Sequence, residues 1–118
     1  MMGELTTHIL DLTQGTPASN VRIDLYEVNA SVLTFLKSAA TNHDGRLDAP
    51  LIDASAFSAG VYELHVHIGA YFRKAKQASS TPAFLDIVTV RFGVDDPGRN
   101  YHVPLLVSPW GYQVYRGS

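Results

Sequence analysis

Apolar and polar residues alternate with a period of two along most of this 118-residue chain, a pattern that commits it to β-structure. In "VRIDLYEV", Val21, Ile23 and Leu25 share one face, and Arg22, Asp24 and Tyr26 the other. In "VYELHVHIG", Tyr62, Leu64, Val66 and Ile68 oppose Glu63, His65 and His67. In "IVTVRFGV", Val88, Val90, Phe92 and Val94 oppose Thr89, Arg91 and Gly93. In "HVPLLVSP", Val103, Leu105 and Val107 oppose His102, Pro104, Leu106 and Ser108. Turn-forming clusters at 14–20, 42–46, 95–100 and 108–111 separate these runs. The spacing predicts about seven or eight strands in a two-sheet β-sandwich. The stretch 70–78, "AYFRKAKQA", has good helix formers and no β-branched residue, and predicts one short helix. No repeat or linker divides the chain, so residues 1–118 read as a single all-β domain.

Two strands carry more apolar surface than one core accounts for. His102 shares its face with Pro104 and Leu106, and His8, in "THILDL", shares its face with Leu10 and Leu12. Only one face of each sheet in a sandwich is core, and a solvated outer face is normally polar. The expectation is an oligomer with His8 and His102 near its interface.

Composition excludes several functions. Hydrophobic residues make up 46% and charged residues 17%, a globular balance. Net charge is −2 and the sequence pI about 6.2, which gives no electrostatic case for nucleic acid or an anionic membrane surface. The chain has no cysteine, so disulfides, thiolate metal sites and cysteine nucleophiles are excluded. No apolar run approaches the ~20 residues that span a bilayer. The N-terminus has no basic region followed by an apolar stretch. The expected location is cytoplasmic. There is no G-x-S-x-G elbow, phosphate-binding glycine loop, H-E-x-x-H or dinucleotide fingerprint, and no carboxylate pair is singled out by spacing.

The remaining chemistry is histidine, arginine and water. His65 and His67 share a strand face at a spacing that can hold zinc, but no third ligand stands at a convincing distance. They read as partly exposed strand histidines, and His43 as a loop residue. His8 and His102 are polar groups on semi-apolar faces. A neutral imidazole there suits a general base, and a buried, hydrogen-bonded structural histidine satisfies the same pattern. Arg46 follows an Asp-Gly turn, where a guanidinium can hold a planar, oxygen-rich ligand or simply be solvated. Arg116 invites the same two readings.

Three stretches together carry a family resemblance: "THILDLTQGTPASNVRIDLY" at 7–26, "TNHDGR" at 41–46 and "YHVPLLVSPWGYQVYRGS" at 101–118. They resemble the transthyretin family, and within it the 5-hydroxyisourate hydrolase branch, over essentially the whole chain. The closing Tyr-Arg-Gly-Ser is the most specific element. The resemblance implies a transthyretin-like sandwich of two four-stranded sheets with a short helix. It also implies a homotetramer, built as a dimer of dimers, with active sites in a channel between facing sheets. It implies hydrolysis of 5-hydroxyisourate to 2-oxo-4-hydroxy-4-carboxy-5-ureidoimidazoline, with no cofactor and no metal. By motif, His8, Arg46, His102 and Ser118 are the catalytic residues. His8, Arg46, Tyr115, Arg116 and Gly117 are the substrate-binding ones. Gln113 and Val114 replace a frequent Ser-Thr and bear on substrate preference. The alternative is a carrier that holds a small aromatic ligand in the channel without reacting it.

Overall fold

The computed structural model describes residues 3–77 and 80–117. Among them, the elements run β1 (Leu5–Asp11), β2 (Thr16–Pro17), β3 (Arg22–Asn29), β4 (Val32–Ala40), β5 (Gly60–Val66), α1 (Ile68–Lys74), β6 (Val88–Val94), β7 (Tyr101–Ser108) and β8 (Gly111–Val114). The strands form two four-stranded sheets, ordered β2-β1-β7-β8 and β4-β3-β5-β6. The second is wholly antiparallel, while β1 and β7 run parallel in the first.

The alternation read from the sequence is the packing. Leu5 and Ile9 of β1 and Tyr101, Val103, Leu105 and Val107 of β7 point inward from one sheet. Ile23 and Leu25 of β3, Tyr62, Leu64 and Val66 of β5 and Val88 and Val94 of β6 meet them from the other. Burying a side chain of this size stabilises by about 1.5–3 kcal/mol.

Three local features differ from the sequence pattern. Ile68 is not the last strand residue, because β5 ends at Val66 and Ile68 opens the helix. The helix itself lies at Ile68–Lys74, displaced toward the N-terminus from 70–78, of which Ala78 is outside the described residues. Its position is set by Ile68 and Phe72, which reach the core. It ends where Lys76 takes φ 59°. Gln77 N–H then bonds Phe72 O at 2.9 Å and Lys76 N–H bonds Arg73 O at 3.1 Å, a Schellman closure made without glycine. The third feature is β4, whose residues show no alternation. It is an edge strand, largely exposed, and its register shifts opposite Leu25 and Tyr26, leaving Leu36 as the extra residue of a bulge.

A buried polar hub ties the helix to the first sheet. Asp11, 1% exposed, ends β1. Its Oδ1 accepts from the Thr13 and Gln14 backbone N–H groups at 2.8 and 3.2 Å, closing the turn into β2. Its Oδ2 accepts from the Tyr71 hydroxyl at 2.7 Å and from Gln77 Nε2 at 3.3 Å. Burial, and next the bond to Asp11, push the Tyr71 phenol well above its ordinary value of 10.0. The aspartate of "THILDL" is therefore structural. Tyr71→Phe is expected to lower the unfolding free energy by about 1–3 kcal/mol in urea denaturation. An unchanged midpoint would show that this bond does not anchor α1.

Candidate active site

Sheet register brings the two distinctive histidines together. In the parallel pair, Thr6 stands opposite His102 and His8 opposite Pro104. His8 and His102 thus lie diagonally on the same outer face. Thr6 Oγ1 is 2.8 Å from His102 Nδ1, which fixes the ring's orientation.

Arg46 arrives through the turn at 41–46. Thr41 Oγ1 donates to Ala18 O at 2.7 Å and accepts from Val21 N–H at 2.9 Å, pinning the turn to the start of β3. Asn42 Oδ1 accepts from the N–H groups of Asp44 and Arg46 at 2.9 and 3.2 Å. Gly45 has φ 75°, and an added Cβ would stand 2.4 Å from Ile9 O and 3.2 Å from His8 Cδ2. Only glycine lets the turn lie so close to β1. Gly45 O accepts from Ile9 N–H at 2.9 Å, and Arg46 forms a bridge to His8. Arg46 and His102 line one shallow concavity of about 350 Å³ with Glu4, Thr6 and Asn100. A larger one, about 430 Å³, lies beside α1 at Arg22, His67 and Lys74, away from these groups.

The electrostatics favour neutral imidazoles. Burial, and then the Arg46 guanidinium, hold the His8 pKa below its ordinary 6.5. Burial, Arg46 and His8, in that order, do the same to His102. Nε2 of His8 is buried and has no hydrogen-bond partner among the described residues. Arg46 has no carboxylate partner among the described residues.

The C-terminal segment reaches the same place. It continues the β8 register past Val114, which stands opposite Leu105, until Gly117 stands opposite His102. Gly117 N–H donates to His102 O at 2.7 Å, and Tyr115, exposed, donates to Pro104 O at 3.4 Å. A Cβ on residue 117 would stand 2.7 Å from His102 Cδ2, so glycine lets the tail lie against the ring. Arg116 turns the other way, its guanidinium 3.9 Å above the Tyr101 ring. The structure thus gathers His8, Arg46, His102 and Gly117, and pairs the Tyr115 backbone with Pro104, two residues from His102 on β7. It holds the Arg116 side chain apart. Ser118 lies outside the described residues.

His65 and His67 each face a buried carboxylate. His65 Nε2 is 2.8 Å from Glu63 Oε1, and His67 Nε2 is 3.0 Å from Asp24 Oδ2. No cluster of three or more metal-binding side chains occurs among the described residues. Thr6 and Asn42 were not singled out by sequence reasoning. Thr6 shares the alternation of His8, but its role needs the β1–β7 register, which the sequence does not display.

Two sheets in this order, one short helix and a histidine–arginine group on an outer sheet face define a transthyretin-type sandwich. The chain belongs to the HIUase/Transthyretin family, whose model matches residues 5–117. It is 52% identical to a 5-hydroxyisourate hydrolase of Ralstonia nicotianae, over 99% of this chain and 100% of that one. It is 48% identical to 5-hydroxyisourate hydrolase 2 of Rhizobium meliloti, over 98% and 97%. Among solved structures it resembles a Klebsiella pneumoniae 5-hydroxyisourate hydrolase, with TM-score 0.81, 34% identity and 98% and 100% coverage. Sea bream transthyretin in complex with thyroxine superposes with TM-score 0.86 at 28% identity, covering 97% and 94%. An (S)-allantoin synthase superposes with TM-score 0.91 at 42% identity over 99% of this chain, which spans only 44% of that longer one.

Imidazole resonances followed by NMR against pH are expected to give midpoints below 6.5 for His8 and His102. In Arg46→Ala both midpoints rise, because removing a nearby cation favours the protonated ring. They stay below 6.5, since burial remains. Midpoints at or above 6.5 in the intact protein would contradict a desolvated site.

Proposed function

We propose that this chain hydrolyses 5-hydroxyisourate, opening one ring to give 2-oxo-4-hydroxy-4-carboxy-5-ureidoimidazoline. The observation that carries the reading is the group of two neutral histidines beside an arginine with no described carboxylate partner, on one sheet face. The relatives named as 5-hydroxyisourate hydrolases, at 52% and 48% identity over nearly their full length, support it.

In the tautomer proposed, His102 keeps its proton on Nδ1, hydrogen-bonded to Thr6 Oγ1, and Nε2 accepts a proton from water. His8, diagonal to His102 on the same face, helps position that water. The resulting hydroxide adds to the ring carbonyl, and Arg46 stabilises the oxyanion that forms. The carbonyl C–N bond then breaks. The proton taken from water goes to the departing nitrogen, and the carbonyl carbon becomes a carboxylic acid, which gives its proton to solvent and leaves the carboxylate. No step calls for a metal, redox group or other cofactor. Tyr115 packs against the planar substrate. Gly117 brings the tail against His102, and in this proposal Ser118 has the role of orienting the histidine or the water.

The same proposal includes a homotetramer, a dimer of dimers with this sheet face lining a channel. Leu10, Leu106 and the exposed Tyr115 on or beside that face fit contact with another copy. No helix among the described residues is long and apolar enough to cross a membrane. A cytoplasmic site of action belongs to the proposal, and a chain without cysteine suits a reducing compartment. A carrier of small aromatic ligands would have no use for desolvated bases beside a guanidinium that has no carboxylate partner among the described residues.

The test follows the ultraviolet decay of 5-hydroxyisourate, generated in situ by urate oxidase. The protein is expected to accelerate the decay. His102→Ala is expected to remove about 10²–10⁴-fold of the rate, the usual worth of a general base. Thr6→Val is expected to show a smaller loss, mainly in kcat. Unchanged turnover in His102→Ala would remove the proposed base. No acceleration from the folded protein would leave the carrier reading.

A further inference from the structure

The tail that reaches His102 is held from the opposite side of the same strand. Tyr101 and His102 are neighbours on β7 and point to opposite faces, Tyr101 being buried in the core and His102 half-buried outside. The Arg116 guanidinium lies 3.9 Å above the Tyr101 ring. The Tyr101 hydroxyl donates to Asp95 Oδ1 at 2.5 Å, and accepts from the N–H groups of Asp95 and Asp96 at 3.2 and 3.3 Å. Its bond to Asp95 holds that carboxyl below its ordinary range, with Arg116 contributing through its charge. One residue further on, Gly117 donates to His102 O at 2.7 Å.

We propose that Arg116 is a latch and not a substrate ligand: stacked on Tyr101, which Asp95 fixes, it seats Gly117 against His102. Tyr101 and Asp95 are then positioning residues for the site. This pairing accounts for an aromatic side chain immediately before the site histidine and an arginine immediately before the close-packed glycine. Between Val114 and Gly117 the tail has little backbone pairing of its own, its one bond there being the long 3.4 Å contact from Tyr115 to Pro104. A side-chain anchor at 116 supplies what the ladder does not. A ring fixed at both its face and its hydroxyl gives the guanidinium one seat, which a solvated arginine lacks.

The test measures amide hydrogen exchange at Gly117 in the full chain without substrate, so its first arm is independent of the hydrolase reading. Arg116→Leu is expected to speed that exchange by roughly 2- to 30-fold, the range that a cation–π contact is worth. Tyr101→Phe keeps the ring and is expected to retain most of the protection. Asp95→Asn, at an exposed position, is expected to show a partial loss. Tyr101→Leu is expected to match Arg116→Leu; should it fail to fold, the Arg116 and Asp95 variants decide. The second arm, which rests on the hydrolase reading, is the kinetic split. A latch predicts that Arg116→Leu lowers kcat with KM changed by less than about threefold, because the loss falls on the transition state. Unaltered Gly117 exchange in Arg116→Leu would overturn the latch. A raised KM at constant kcat, with the tail still protected, would return Arg116 to the substrate.

Discussion

The parallel pairing of β1 with β7 is the constraint on which the rest of the molecule depends. Seven residue pairs, from Leu5 with Tyr101 to Asp11 with Val107, fix it. A parallel pair needs a long crossover, and here the whole second sheet and the helix supply it. The register puts both site histidines outside and the aliphatic residues inside. A slip of one residue would send one histidine into the core and strip the other of Thr6. Thr7 resists such a slip from the inner face, its hydroxyl donating to Val103 O at 2.7 Å.

The second requirement is an arginine at a controlled distance from that face. A long, flexible side chain is useful there only if its backbone is fixed. The 41–46 turn fixes it with its own polar atoms. Asn42 bonds two of the following N–H groups, Thr41 binds both strand flanks, and Gly45 alone tolerates the approach to Ile9 and His8. A short motif that looks like a list of conserved-type letters is thus a device for placing one backbone position, residue 46, beside residue 8. The same turn packs Gly45 against the His8 ring. Substrate-facing charge and base are therefore aligned by one local structure.

What was legible in the sequence is what depends on local period. The inward faces of β3, β5, β6 and β7 follow alternation, and so did the unusual character of the His8 and His102 faces. Strand β4 escaped because an edge strand buries neither face and its bulge at Leu36 breaks the period. The helix was displaced because its end is closed by a lysine at positive φ, a position where glycine is the usual signal. The grouping of His8, Arg46 and His102 rested on family motifs, since 96 positions separate Thr6 from the His102 it bonds. Propensity carries no information about pairing at that distance. The direction of the Arg116 side chain follows from β8 continuing in register with β7, which the two-residue lapse in pairing at Tyr115 and Arg116 hides.

The two sheets use the same side chain under opposite charge. On the outer face of the β5 sheet, His65 and His67 each meet a buried carboxylate, and those carboxylates in turn hold Arg91 and Arg22. Hydrogen bonds from His65 and Arg91 keep Glu63 below its ordinary range, so the anion is the stable partner there. In that cluster Nε2 of each ring is already engaged by a carboxylate. On the β1–β7 face the neighbour is a guanidinium. It disfavours the imidazolium, adds to the effect of burial, and leaves Nε2 of His8 without a described partner. The same cation that withholds protons from the two rings is placed to stabilise an oxyanion. One charge thus keeps the bases free before reaction and holds the charge that develops during it. Position on a sheet face does not separate these histidines, since all four lie on outer faces, three on strands and His67 just past the end of β5. The sign of the nearest fixed charge does.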